Sequence, residues 1–193
     1  MNARLTQTLA LIAVAAALSG CAGAPVRDHF GWFDARMKAA QRKPGDAGQD
    51  VFTFANGDRL TGSFRDGQVI GSATVVYADG KQYVGEFRNN RIHGQGTLLL
   101  ANGDRYDGSF VNGRRHGQGS YQFATGGRYR GAFVNDQITG FGQFVYANGD
   151  RYTGYLVDGR HHGLGRLEPG DGRATLEGRW ERGEFVWPQA LAF

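Results

Sequence analysis

The chain of 193 residues is poor in several things at once, and each shortage removes a class of protein. It has one cysteine, so no disulfide framework within the chain can hold a small exported fold together. Its four prolines exclude a proline-rich linker, and they also exclude a collagen-like chain despite 32 glycines. No apolar run reaches the ~20 residues needed to cross ~30 Å of hydrocarbon as a helix; the longest, Leu9 to Leu18, has about half that length. Charge of a single sign is also scarce. Lys and Arg number 22 against 18 Asp and Glu, and removing Arg4 with the leader leaves 21 against 18, or +3. The two signs alternate along the chain without the basic block that tracks phosphates, which excludes nucleic acid as a partner. A length near 200 residues leaves room for one ordinary domain and short appendages, not for a second catalytic domain.

What is abundant is glycine next to Tyr and Phe, the composition of short strands joined by tight turns. Leu60, Tyr83, Tyr106, Tyr129 and Tyr152 follow one another at intervals of 23 residues, and Leu176 follows at 24. With that residue as position 1, position 3 is Gly62, Gly85, Gly108, Gly131, Gly154 and Gly178. Position 5 is Phe64, Phe87, Phe110, Phe133, Leu156 and Trp180. A second glycine pair recurs at positions 12 and 14, as Gly94/Gly96, Gly117/Gly119, Gly140/Gly142 and Gly163/Gly165, weakened to Gly71/Ala73 in the first copy. Apolar residues alternate at positions 16 and 18, so the period is two and the elements are strands. Asn-Gly and Asp-Gly pairs fall twice per repeat, as at Asn102-Gly103 and Asn112-Gly113, and predict type I′ turns and one β-hairpin per repeat. Phe52 and Phe54 fit positions 16 and 18 of an incomplete copy. The expected domain is all-β, a single-layer antiparallel sheet of about twelve strands and roughly 55 Å, from residue 51 to 187 with a tail at 188–193.

Positions 1, 3 and 5 share one face, so each aromatic pair can lie over bare glycine backbone, and a bulky residue at Gly108 or Gly131 should disrupt the packing. Tyr83, Phe87, Tyr106, Phe110, Tyr129, Phe133 and Tyr152 form an aromatic column that either receives a partner or packs the scaffold. On the opposite face Arg59, Arg105, Arg128 and Arg151 form a basic column. It either meets anionic head groups or, with Asp58, Asp104 and Asp150 beside three of its members, makes a solvated mixed-charge face.

The segment Tyr106-Asp107-Gly108-Ser109-Phe110, followed by Asn112-Gly113-Arg114-Arg115-His116-Gly117-Gln118-Gly119, resembles the MORN repeat (membrane occupation and recognition nexus). The resemblance covers residues 51 to about 187, with five near-complete copies and a terminal fragment. It departs from the pattern at Leu60, Ile70, Thr139 and Pro169, which suits the end repeats as caps. It implies an elongated antiparallel sheet that acts in assembly, dimerisation or placement at membranes, and it implies no catalysis.

At the N-terminus, Arg4, the apolar stretch Leu9–Leu18 and the small residues Ser19 and Gly20 have the layout of a signal peptide over residues 1–20. Leu18-Ser19-Gly20-Cys21 resembles the lipobox of bacterial lipoproteins, which implies cleavage before Cys21 and acylation of it. At ~0.8 kcal/mol per buried CH2, two or more chains would anchor the protein to a membrane. Ala22 in place of Asp implies, by the same resemblance, an outer-membrane destination facing the periplasm. Residues 21–50 read as a tether. Within them Phe30, Phe33, Met37 and Ala40 recur at helical spacing between Asp28 and Lys43, and Pro44 to Asp50 read as linker. A helix there would lie on a bilayer through Phe30, Trp32 and Phe33, or else cover the apolar face or an end of the sheet; the remaining alternative is a disordered segment.

Chemistry-bearing motifs are scarce. His93, His116 and His162 share position 11, but equivalent positions two strands apart are ~9.6 Å from each other, whereas two imidazole nitrogens on one zinc are within about 4 Å. No metal site is expected from them. No Ser-His-Asp or Cys-His set can be nominated, and the glycine-rich segments match neither a P-loop nor a dinucleotide fingerprint. The expectation is a protein without cofactor, small-molecule substrate or catalytic residues, attached to a membrane through lipid and binding a protein partner or a second copy. Recognition of anionic phospholipid by the repeats is the alternative.

Overall fold

The computed structural model describes residues 41–44 and 48–186. They form one fourteen-stranded antiparallel sheet in strict sequence order. The strands are β1 (Gln41–Pro44), β2 (Asp50–Thr53), β3 (Arg59–Arg65), β4 (Gln68–Val76), β5 (Gln82–Arg88), β6 (Arg91–Leu99), β7 (Arg105–Val111), β8 (Arg114–Gln122), β9 (Arg128–Val134), β10 (Gln137–Val145), β11 (Arg151–Val157), β12 (Arg160–Glu168), β13 (Leu176–Glu181) and β14 (Glu184–Val186). Each repeat contributes one short and one long strand, and at ~4.8 Å per strand the ribbon is roughly 60 Å long.

The sheet begins earlier than the repeat pattern predicts. Gln41–Pro44 pairs with Asp50–Thr53, and Arg42 holds Asp50 across that pair at 2.8 Å. Residues 41–43 are therefore strand, not the end of a helix, and Pro44 and Asp50 belong to strands rather than to a linker. An edge strand tolerates Pro44 because one side of its backbone needs no ladder donor. The strand count is fourteen instead of about twelve. The leader, Cys21 and the remainder of the expected helix lie outside the described residues, as does the tail.

The two turns of each repeat differ, which corrects the expectation of type I′ at both. Between short and long strands both central residues have positive φ, as at Asn112 (50°) and Gly113 (82°), and these are type I′ turns. Between long and short strands only the glycine does, as at Gly57, Gly80, Gly103 and Gly149. There Gly103 N–H donates to Leu100 O and Leu100 N–H to Asp104 O, a three-residue loop closed by a glycine bulge. The residue after the glycine is then free to use its side chain. Asp104 Oδ1 accepts from Ala124 N–H at 2.8 Å, in the equivalent turn one repeat on, and Asp58 and Asp150 do the same for Ala78 and Gly170. Along the other edge Gly113, Gly159 and Gly183 N–H groups donate to the carbonyls of Ile92, Ile138 and His161. Both edges are thus stitched repeat to repeat.

The core lies on one face. Its buried residues run from Phe52 to Trp180 and include every position-1 residue from Leu60 to Tyr152. Tyr83 and Tyr106 each pack edge-to-face on the phenylalanine of their own repeat and on that of the next, Tyr129 does so on Phe133 of its own repeat, and Tyr152 on Trp180 of the next. Tyr106 lies 5.1 Å from Phe110 and 4.9 Å from Phe133, and Tyr83 repeats this with Phe87 and Phe110. Such pairs contribute ~0.5–1.5 kcal/mol each beyond the burial itself.

Candidate functional site

The aromatic column is built by a glycine device. Gly108 and Gly119 face each other across β7 and β8, and the Tyr106 ring lies flat over both. A Cβ on Gly108 would stand 2.7 Å from the Gly119 Cα and 2.5 Å from Tyr106 Oη. Next to this pair the long strand bulges: β8 passes three residues, His116 to Gln118, opposite the single Ser109, with Gly117 at φ +72°. The ladder skips Ser109, and its carbonyl accepts the Tyr106 hydroxyl at 2.9 Å. Tyr83, Tyr129 and Tyr152 donate in the same way to Glu86, Ala132 and Tyr155. In these four copies the tyrosine hydroxyl satisfies the carbonyl beside the bulge from inside the sheet, whereas the first copy has the same bulge with Leu60 in that place. Burial lifts the phenol pKa, to about 12 for Tyr129 and Tyr152, so the hydroxyls remain donors.

This arrangement decides between the two readings of the column. Tyr83, Tyr106, Tyr129, Tyr152, Phe87, Phe110 and Phe133 are all buried. They are spent on scaffold packing, and the reading of them as an open binding face is corrected.

Charged residues the sequence reading passed over join them. Arg115 is buried beside Asp136, with Nε 3.0 Å from Oδ1, and its guanidinium lies over the rings of Tyr106, Tyr121 and Phe133. Asp136 also accepts the Arg115 backbone N–H. Positions 10 and 8 hold Ile92 with Gly113, and Ile138 with Gly159, in the adjoining repeats, so the simultaneous change at Arg115 and Asp136 was a readable signal. His161 is buried, stacked on Tyr152 at 3.6 Å, and its Nε2 lies 2.6 Å from Tyr146 Oη. Burial pushes its pKa down to about 4, so it is neutral near pH 7.

The opposite face is exposed. Arg59, Arg105, Arg128 and Arg151 all stand there, each as the first residue of a short strand, with Gln82 interrupting the series in β5. Arg105 is held by Asp107 at 2.7 Å, an exposed pair that holds the Asp107 carboxyl below its usual range. Arg59, Arg128 and Arg151 have no ion pair among the described residues. The aspartates expected to neutralise the column do something else: Asp58 and Asp104 are buried and point at backbone N–H groups of the neighbouring turn. Adjacent residues of a strand face opposite ways, so an Asp-Arg dipeptide cannot mix its charges on one face. Among the histidines, His93 and His116 are half-buried and His162 is exposed.

The fold and its two faces define an open repeat sheet with a packed aromatic face and a free polar one. The sequence pattern of the MORN repeat family matches residues 83–105, 106–128, 129–151 and 152–172, each interval opening on a position-1 tyrosine. Four tandem MORN repeats therefore occupy residues 83–172, and the strands before and after them continue the same antiparallel order. No curated protein matches the sequence. Similar solved structures include the TCP domain of SAS-4 (dCPAP) from Drosophila melanogaster in complex with a proline-rich motif of Ana2 (dSTIL). It is 13% identical, with 72% of this chain and 77% of that chain covered and a TM-score of 0.49. The TCP10 domain of CPAP from Danio rerio is 18% identical, covers 73% of each chain and has a TM-score of 0.42.

Proposed function

We propose that this protein is a non-catalytic interaction platform held at a membrane by acylated Cys21, and that it binds a protein partner through the exposed face of its repeat sheet. The observation that carries this reading is the division of labour between the faces: the aromatic side is consumed in packing the repeats, while the other presents fourteen adjoining strands to solvent. Among the described residues the sheet is long and open and carries no lid, which offers area for recognition. The lipobox-like Leu18-Ser19-Gly20-Cys21 supports a lipid anchor, and Ala22 supports an outer-membrane location facing the periplasm.

A second reading has its own observation. Arg59, Arg128 and Arg151 stand on the exposed face without ion pairs among the described residues, and anionic lipid would attract each by about 1 kcal/mol near the surface. The test is flotation of the chain lacking residues 1–20 and carrying Cys21→Ser, with anionic and neutral vesicles at low and high salt, beside the acylated protein. The platform reading expects flotation of the acylated form only. Salt-sensitive flotation of the Cys21→Ser form on anionic vesicles alone would make the repeats lipid readers and overturn it.

A further inference from the structure

The exposed face is not uniform along its length. Position 13 is Ser72, Gln95 and Gln118 in the first three copies and then Phe141 and Leu164. Position 4 is Ser63, Glu86, Ser109 and Ala132 and then Tyr155. The repeat itself asks nothing apolar of these positions, since the polar versions fold into the same hairpins. In the sheet the three departures converge. Phe141 and Tyr155 are direct cross-strand partners in β10 and β11, with ring centroids 5.6 Å apart in an edge-to-face pair. Leu164 is diagonal to Tyr155 across the β12 bulge, where Gly163 comes within 3.6 Å of the Tyr155 Cβ through the position its own Cβ would take. Phe141 is 57% exposed, Tyr155 52% and Leu164 70%. Together they present about 300 Å2 of apolar surface, within the size range of the largest patch on a soluble monomer, which is often functional.

Charge flanks this patch on both sides. Arg130, diagonal to Phe141 on β9, and Arg160, on β12 beside the Tyr155–His162 pair, are exposed and have no ion pair among the described residues. We infer that Phe141, Tyr155 and Leu164, with Arg130 and Arg160, form a docking site for an extended acidic segment of a partner protein, which seats an apolar side chain on the rings and carboxylates on the arginines. Two other occupants fit this face less well. A stable dimer buries ~800 Å2 per partner, well above this patch, and a second copy would bring the same arginines against their like. An anionic bilayer would cover the whole face, including the mixed-charge end where Arg166 pairs with Glu168 and Glu177 and Arg179 with Glu181, whereas a narrow segment needs only the patch and the two arginines beside it.

This inference rests on the reading of the repeats as a protein-binding platform, and the experiment separates the two. A random 12-residue peptide library displayed on phage is selected on the full chain after residue 20, carrying Cys21→Ser. Counter-selection uses Phe141→Ser/Leu164→Ser, Arg130→Glu/Arg160→Glu, and a Ser109→Ala/Gln118→Ala control in the third copy. The expected result is enrichment of peptides combining Asp or Glu with an aromatic or Leu. Recovery should fall at least tenfold on either patch variant and on raising the salt, and stay unchanged on the control. Five of the six side chains are exposed, and the half-buried Ser109 loses only the hydrogen bond that its Oγ accepts from Gln95 Nε2, so the variants should keep the parent's circular dichroism. The arginine variant leaves the apolar patch in place, so it tests the site independently. Peptides without acidic bias, or recovered equally on the patch variants, would overturn the docking site and leave the platform standing. No enrichment on any form would sink both. A parallel flotation with phosphatidylglycerol vesicles that retained the parent but not the patch variants would assign the patch to lipid and also overturn the inference.

Discussion

Replacing Gly119 by alanine is the most direct perturbation of the packing between Tyr106 and the two facing glycines. The new Cβ would fall 2.6 Å from Tyr106 Oη and 2.7 Å from its Cζ, well inside contact distance. A flexible side chain could swing away, but Tyr106 is fully buried between Phe110, Phe133 and Arg115, and its hydroxyl is tied to Ser109 O. Overpacking of a tight site costs ~1–3 kcal/mol and the lost hydrogen bond about 1 kcal/mol more, so the variant should lose about 2–4 kcal/mol. Gly117→Ala is the reference. Its Cβ has room, 3.5 Å from the Ser109 Cβ, but φ is +72°, and that strain costs about 1–2 kcal/mol. Urea unfolding of the Cys21→Ser form would read the first change as a midpoint shift of about 1–2 M, given a slope of ~1–3 kcal/mol per molar. Shortening the ring should relieve the clash, so Gly119→Ala should cost under about 1 kcal/mol when made in a Tyr106→Leu background. A cost within about 0.5 kcal/mol of zero in the parent, or strict additivity in the double variant, would refute the flat ring on paired glycines as the packing device.

Three further outcomes are expected. Asp136→Gly should cost about 3–5 kcal/mol, because it removes the carboxylate facing the buried Arg115 guanidinium. Arg115→Ile/Asp136→Gly, which reproduces the pairing of Ile92 with Gly113, should regain most of that loss in the same urea assay. Stability should decline as pH falls from about 6.5 to about 4, since the unfolded chain takes up a proton that buried His161 refuses; above 6.5 both states are neutral and below 4 both are charged. That window is worth up to about 3 kcal/mol, and it should vanish from the difference between the parent and His161→Phe curves. Tyr129→Phe should lose about 1 kcal/mol, the hydroxyl's bond to Ala132 O, with no change in far-ultraviolet circular dichroism.

Hairpins, strand order and the sharing of one face by the aromatic positions were legible in the sequence because they depend on neighbours close along the chain. Period-two alternation, turn pairs and a 23-residue interval are all local, and a sheet in sequence order needs nothing more. The first strand escaped because Gln41–Pro44 has no alternating apolar pattern; it is held by the edge of β2 and by Arg42. The two turn types differ although the dipeptides match, because the bulge and the aspartate after it decide whether Asn102 or only Gly103 turns left-handed.

Availability was decided only in three dimensions. The spacing of Tyr83, Tyr106, Tyr129 and Tyr152 puts them in a column, but whether a column is a surface depends on what lies across it, here for Tyr83, Tyr106 and Tyr152 a ring of the next repeat, and for all four a carbonyl beside a bulge. Likewise Asp104 and Arg105 are adjacent in sequence yet serve different faces, one fixing a turn and the other standing in solvent. Phe141, Tyr155 and Leu164 belong to three strands, and each alone is an ordinary deviation from a repeat. Antiparallel register and one bulge make them a single patch, since side chains 14 and 9 residues apart become neighbours only when the strands between them pair.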